Sequence, residues 1–335
     1  MVSIKELAAR CGVSTATVSK ALNGQPDVGE ETRRRIRRIA DEMGYLPNAA
    51  ARSLKTNRTY SLGVLFVDQT QSGLRHEYFS GVLEAFKSAA ESHGYDITFI
   101  TQNIGGKPST YLMHCRQRSV DGVMVASIDF NDPQVLELVN SGLPLVTIDH
   151  VFNNRMAIVS DNVGGMEALV RHVYAKGHRR LAFIHGEMTT VTENRLASFW
   201  RTCGQLGIRV PEEYVLGSAY HDVEQCAAAV RRLLALPKRP TCIFLPDDFS
   251  SLGGYNALRD AGLSIPGDVS VVGYDGIYLS QVMAPRLTTY QQDTVALGRL
   301  AAEQLIAMIE APRSTVPDRI LVPGRLLEGD SVAAV

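Results

Sequence analysis

The chain runs to 335 residues, enough for two or three domains, and its 45% hydrophobic and 21% charged content is that of a globular protein with a sizeable core. The net charge of −1 hides an asymmetry: residues 1–58 hold 11 Lys and Arg against 6 Asp and Glu, a +5 head on a −6 remainder. A basic head on an acidic body is expected to meet a polyanion. Five cysteines (Cys11, Cys115, Cys203, Cys226, Cys242) have no paired spacing. That argues against a disulfide framework and for reduced thiols in a core. The opening MVSIKELAARCG lacks a charged-then-apolar signal pattern, and no apolar run approaches a membrane span, so a cytoplasmic location is expected.

Three short helices fit the head. Ile4, Leu7, Ala8 and Cys11 form an amphipathic stripe, Gly12 permits a tight turn, and Ser14 is a good N-cap for the next helix. Val18, Ala21 and Leu22 can face the first helix. A third places Ile36, Ile39, Ala40 and Met43 on one side, with Arg33, Arg34, Arg37 and Arg38 largely elsewhere, and Gly44 ends it. After Pro47 come the short helix-prone segment NAAARSLKT and a linker, NRTYS.

From Tyr60 the pattern changes to apolar runs alternating with helical periods: SLGVLFVD, DITFIT, DGVMVAS, LPLVTID, MAIVSD, RLAFIHG, TCIFLPDD and VSVVGYD. Continuous Val/Ile/Leu runs separated by helices predict parallel sheets covered on both faces, and their number predicts two doubly wound halves. Many runs end in an acid (Asp68, Asp149, Asp161, Asp247, Asp248, Asp275), at the strand ends where open α/β sheets bind ligands.

The segment VSTATVSKALNG, read after the first helix, has the pattern of a helix-turn-helix, although an αα-hairpin in a protein–protein module has the same spacing. A helix so bare suits a major groove about 12 Å wide. Thr15, Ala16, Ser19 and Lys20 lie opposite the apolar stripe: Thr and Ala can touch a thymine methyl and Lys can donate to guanine. Ser14 and Thr17 can bond phosphates.

IKELAARCGVSTATVSKALNG, followed by EETRRRIRRIADEMGYLPNAAARSLKTNRTYSLGVL, resembles the head of the LacI/GalR family of bacterial transcription regulators. The likeness continues through DNVGGMEALVRHVYAKGHRRLAFIHG, NRLASF, DVSVVGYDG and PRLTTYQQD, covering essentially the whole chain in order. The resemblance implies a helix-turn-helix domain at 1–46, a hinge helix and linker at 47–59, and a periplasmic-binding-protein-like core at 60–335. In that core the N-subdomain would take about 60–160 plus 292–320, and the C-subdomain about 161–291 plus 321–330. NAAARSLKT would be a hinge helix ordered on DNA, with Leu54 wedged into a base step, Ala51 at the minor groove, and Arg52 and Lys55 near phosphate. Gly29 stands where the family usually has a capping serine, and it caps only slightly less well.

Several core positions match effector contacts of the family: Asp149, Arg195, Asp275, Asp247, Gln292 and Tyr220, with Arg75 and His76 at positions that vary with effector. Carboxylates accept from paired hydroxyls, a guanidinium donates in a fork, and an aromatic ring covers an apolar sugar face. Asp247 fills a slot usually held by Asn, and Arg75 beside His76 suggests an anionic group on the effector. The effector is thus expected to be a sugar, sugar acid or sugar phosphate.

IGGKPS lacks the spacing of a phosphate loop and reads as a turn; HEYFS lacks the second His of a zinc-protease helix. No catalytic or metal constellation survives, and no cofactor is expected. The resemblance implies a homodimeric repressor of transcription that binds pseudo-palindromic double-stranded operator DNA under control of a small molecule, at the bacterial nucleoid. A sugar-binding protein without gene control and an α/β sugar-modifying enzyme are the alternatives. The basic head disfavours the first, and the lack of a convergent nucleophile, base or metal set disfavours the second.

Overall fold

A computed structural model of the chain describes residues 2–45, 58–68 and 72–335. The chain divides into two compact units, Met1–Thr59 and Tyr60–Val335. The expected hinge residues Ala51, Arg52, Leu54 and Lys55 lie outside the described residues.

In the first unit three helices, α1 (Ile4–Cys11), α2 (Thr15–Leu22) and α3 (Glu30–Glu42), enclose one small core. Leu7, Ala8 and Cys11 pack against Val18 and Ala21, and Ile36 and Ala40 close the third side, as the stripes predict. Val28, in the loop before α3, joins this core without having been signalled by any period.

The second unit contains two parallel sheets. The first has strand order Arg319–Val322, Met156–Ser160, Leu145–Ile148, Gly122–Ala126, Ser61–Phe66, Asp96–Phe99. All its pairings are parallel. Alternate residues of a strand point to opposite faces, and both faces here are covered. Leu62, Val64, Met124 and Ile158 pack under helices Glu77–Ser92 and Thr294–Glu310, while Leu65, Val123 and Val125 pack under Tyr111–Arg118 and Pro133–Val139. The second sheet runs Ser270–Val272, Cys242–Phe244, Leu181–His185, Val215–Gly217, again all parallel. Its faces carry Ile184, Ile243 and Val271 on one side and Phe183, Phe244 and Val272 on the other. An antiparallel pair, Thr289–Gln291 with Arg325–Leu327, accompanies the chain between the halves.

Each of the eight apolar runs contains a strand. Further strands at 215–217, 289–291, 319–322 and 325–327 are not singled out by the sequence pattern; each is only three or four residues long. The first sheet holds the chain as far as Val322, close to the boundary expected near 320, because Ile320 and Val322 pack into its core. IGGKPS is a tight hairpin with Gly105 and Gly106 both in the left-handed region, so it is a turn.

Gly298 marks the closest approach between helices Thr294–Glu310 and Glu77–Ser92. A Cβ there would lie 2.1 Å from the Val82 carbonyl oxygen, far inside van der Waals contact distance. Alanine is the better helix former by about 1 kcal/mol, but overpacking costs about 1–3 kcal/mol, and here the obstacle is backbone. Gly298→Ala should therefore lower the chemical-denaturation midpoint of the chain.

Candidate functional site

In the first unit, α1 is fixed at its start by a capping box: Ser3 Oγ accepts from the Glu6 amide, and Ser3 N donates to Glu6 Oε2 at 2.7 Å. Gly12 closes it at φ 64°, which turns the chain into α2. Ser14 caps α2, accepting from the Thr17 amide at 3.0 Å. Thr15, Ala16 and Lys20 are exposed, Thr17 and Ser19 half-buried, and Val18 and Ala21 buried. The outward face of α2 is therefore built of small side chains, as a helix that enters a groove requires.

Several of the expected DNA-contacting side chains already have partners. Lys20 is ion-paired with Asp27, and the Thr17 and Ser14 hydroxyls lie 2.9 Å apart. Asn23 donates to the Ser19 carbonyl at 2.7 Å and steadies the last turn of α2. The sequence reading did not single out Asn23 or Asp27. Gly29 occupies the N-cap position of α3, where it offers no side-chain acceptor. Its start is instead supported by Glu30 and Glu31 in the first turn and by Arg33, which bonds Glu30 and the Val28 and Gln25 carbonyls. Arg34, Arg35, Arg37 and Arg38 remain exposed.

In the second unit a cavity of about 570 Å³ opens at the carboxyl ends of strands from both sheets. Seven of the eight expected positions line it: His76, Asp149, Arg195, Tyr220, Asp247, Asp275 and Gln292. Arg75 does not. It is exposed, and its Nε reaches only the Ser72 carbonyl, at 3.4 Å, because it lies on the turn before the helix rather than on its inner face.

Arg195, on Thr190–Gln205, is 4% exposed. Its Nε donates to Asn162 Oδ1 at 2.8 Å, one terminal nitrogen reaches the Pro246 carbonyl at 3.4 Å, and the other lies 3.8 Å from Asp275 Oδ1. The Tyr274 ring lies 3.6 Å below the guanidinium carbon. Asp275 also accepts from Gln292 Nε2 at 2.7 Å. Burial, reinforced by Asp247 and Asp149 and opposed by Arg195 and Gln292, raises the Asp275 carboxyl to about 7. Gln292 Oε1 is buried without a hydrogen-bond partner. Across the cavity, Asp149 is held by the Tyr78 hydroxyl and the Ser160 amide, both at 2.7 Å. Asp247 accepts from the Ser250 amide and hydroxyl at 2.7 Å and from the His221 amide at 2.9 Å, so it also anchors the following loop. The Tyr220 hydroxyl lies 2.8 Å from Thr192 Oγ1.

Among the described lining residues, seven bear carboxylates and one a guanidinium. Phe130 and His150, which sequence reasoning missed, form a stacked pair on the wall at 4.1 Å. His150 directly follows Asp149, but nothing in its local pattern marked it.

The two halves also touch across the cleft. His76, at the start of Glu77–Ser92, stacks on His221 with ring centroids 4.0 Å apart, and His221 stacks on Phe249 at 4.1 Å. Ser72 Oγ lies 3.2 Å from His221 Nδ1, and the Tyr278 amide donates to Glu77 Oε1 at 2.5 Å. Burial first, then the neighbouring His221, lowers His76 to about 4, with Asp68 and Asp247 opposing. A histidine held below its ordinary value stabilises the closed, folded form above the unfolded pKa near 6.5 and loses that contribution as pH falls towards 4. Between pH 7.5 and 5.5 this amounts to about 1 kcal/mol for one such ring. Denaturation midpoints measured at both pH values should fall on acidification in the wild type and fall less in His76→Phe, which keeps the stack without the titration.

The chain matches the lacI family of bacterial regulatory proteins over residues 3–48 and a periplasmic binding protein-like domain over 170–332. It is 30% identical to the probable HTH-type transcriptional repressor ExuR of Bacillus subtilis (strain 168), over 99% of this chain and 98% of that one. It is 33% identical to the HTH-type transcriptional repressor PurR of Escherichia coli O139:H28 (strain E24377A / ETEC), over 99% and 97%. Among solved structures, the lac repressor dimer bound to operator and the anti-inducer ONPF superposes with a TM-score of 0.82 at 23% identity, over 99% of both chains. The transcriptional regulator CelR–cellobiose complex does so at 0.72 and 25% identity, over 99% of this chain and all of that one. The chain belongs to the LacI family of bacterial regulatory proteins, DNA-binding repressors of transcription rather than enzymes.

Proposed function

We propose that this chain acts as a homodimer in the bacterial cytoplasm, at the nucleoid, and represses transcription from a pseudo-palindromic operator until a small polyhydroxylated molecule fills its cavity. The observation that carries this reading is the union, on one chain, of a capped helix with a bare small-residue face and a cavity floored by a buried guanidinium–carboxylate pair. Thr15, Ala16, Ser19 and Lys20 would meet base edges, and Lys20 must leave Asp27 to do so. Ser14, Thr17, Arg52 and Lys55 would meet phosphates, with Leu54 and Ala51 at the minor groove of the central step.

The cavity asks for hydrogen-bond donors. Asp149, Asp275 and the unpartnered Gln292 Oε1 are acceptors, and Arg195 is committed to protein acceptors on two of its nitrogens. With Arg75 exposed on its turn and His76 held below its ordinary value, a neutral polyol fits the wall chemistry better than an anionic effector. Effector binding would alter closure of the two halves, and with it operator affinity, by a differential binding free energy.

Selection from a random duplex pool should enrich one inverted repeat, and a thermal-shift screen of neutral sugars should give stabilising hits. A hit should weaken operator binding, and operator should weaken the hit's binding by the same factor. Measured at pH 8.5, where a carboxyl raised to about 7 is ionised, Asp275→Asn should cost at least about tenfold in the hit's affinity, since a charge-assisted acceptor is worth about 1.5–3 kcal/mol, while leaving operator selection unchanged. Equal operator affinity with and without every hit would sink the regulatory reading.

A further inference from the structure

Helix α2 carries no acid of its own, yet a carboxylate stands against its exposed side. Lys20 is ion-paired with Asp27, and both side chains are exposed, at 51% each. The loop that carries Asp27 is not free to withdraw it. The Gln25 amide donates to the Lys20 carbonyl at 3.0 Å, and Val28 is buried in the core of the three helices. Arg33 spans the loop, donating to the Gln25 carbonyl at 2.9 Å and to the Val28 carbonyl at 3.2 Å. Asp27 lies between those two anchors. The hydrogen bond from Lys20 holds the Asp27 carboxyl below its ordinary value, so the group is ionised and can only accept. Other acids of this unit are engaged elsewhere: Glu6 in the cap of α1, Glu30 and Glu42 with arginines of α3.

An exposed ion pair contributes little, so a guanine edge can take Lys20 from it. The exchange leaves behind a carboxylate, pinned in place beside a polyanion and without its cation. In the major groove only cytosine N4 and adenine N6 donate. The guanine that accepts from Lys20 is paired with cytosine, whose N4 is hydrogen-bonded to the guanine O6. A donor and an acceptor that touch in the protein thus meet an acceptor and a donor that touch in the base pair. We infer that Asp27 is a specificity-determining residue that accepts from N4 of the cytosine paired with the guanine read by Lys20, so that the two side chains trade their ion pair for the two halves of one G·C pair. The inference rests on the operator-reading role of α2. A thymine or guanine set against Asp27 would present an acceptor to a carboxylate, so the same residue rejects those bases while it selects cytosine.

The test uses the full-length chain and the inverted repeat enriched from a random duplex pool. Each cytosine of a half-site is replaced in turn by N4-methylcytosine, which still pairs with guanine but carries a methyl group where the groove-side N–H was. In the wild type one such cytosine per half-site should weaken binding about tenfold, the scale of one lost base contact, and in Asp27→Ala the same replacement should change affinity less than twofold. Selection repeated with Lys20→Ala should relax at that same base pair. Both positions are exposed, and thermal melts would verify that both variants fold. Wild-type binding indifferent to the methyl group at every cytosine, a penalty unchanged in Asp27→Ala, or relaxation by Lys20→Ala at a different base pair overturns the inference while leaving the operator reading standing. Enrichment of no inverted repeat overturns both.

Discussion

A guanidinium removed from water is the constraint around which the ligand-binding half is arranged. An isolated buried ion costs several kcal/mol even after relaxation, so Arg195 can lie at 4% exposure only if acceptors surround it. They come from separate places: Asn162 at the start of one helix, the Pro246 carbonyl after one strand, Asp275 after another, and the Tyr274 face beneath. Those elements cannot drift independently without stranding a charge. Asp275 is in turn held by Gln292 from the segment that follows the crossing strand, so the polar floor ties that half to the connection between halves. On the facing wall Asp149 is fixed by Tyr78 and Ser160. A ligand thus meets two walls that are each preorganised, and what remains adjustable is their separation.

That separation is governed by much weaker contacts. The His76–His221–Phe249 stack, the Ser72–His221 contact and the Tyr278–Glu77 bond are the cross-cleft interactions described above. None is a large apolar interface. A switch needs its two forms within a few kcal/mol of each other, so that a small ligand's differential affinity can tip the balance. Strong walls joined by a light clasp meet that requirement, whereas a continuous core through both halves would not.

The reader in the first unit follows the opposite economy. Its core is small, and α2 turns inward only Val18 and Ala21 as fully buried residues. The outward face is kept free of bulk, so its stability comes from caps: the Ser3–Glu6 box, Ser14 on Thr17, and Asn23 on Ser19. The side chains left exposed are therefore available to a partner rather than to the fold.

Local pattern was enough for much of this. Helical stripes in the head, eight Val/Ile/Leu runs and the acids at their ends follow from side-chain period and strand polarity, which are properties of neighbours along the chain. Motif order along the whole chain carried the family and placed seven of the eight cavity residues. The remainder depends on what meets across distance. The short strands 215–217, 289–291 and 319–322 exist because an adjacent strand offers hydrogen bonds, not because their own residues demand it. Arg75 fell outside the cavity because one residue along a helical turn changes the direction of a side chain by more than a right angle, which spacing alone does not record. Phe130 lies on His150, and His76 on His221, across 20 and 145 residues of chain, so those stacks became visible only when folding brought their rings to about 4 Å.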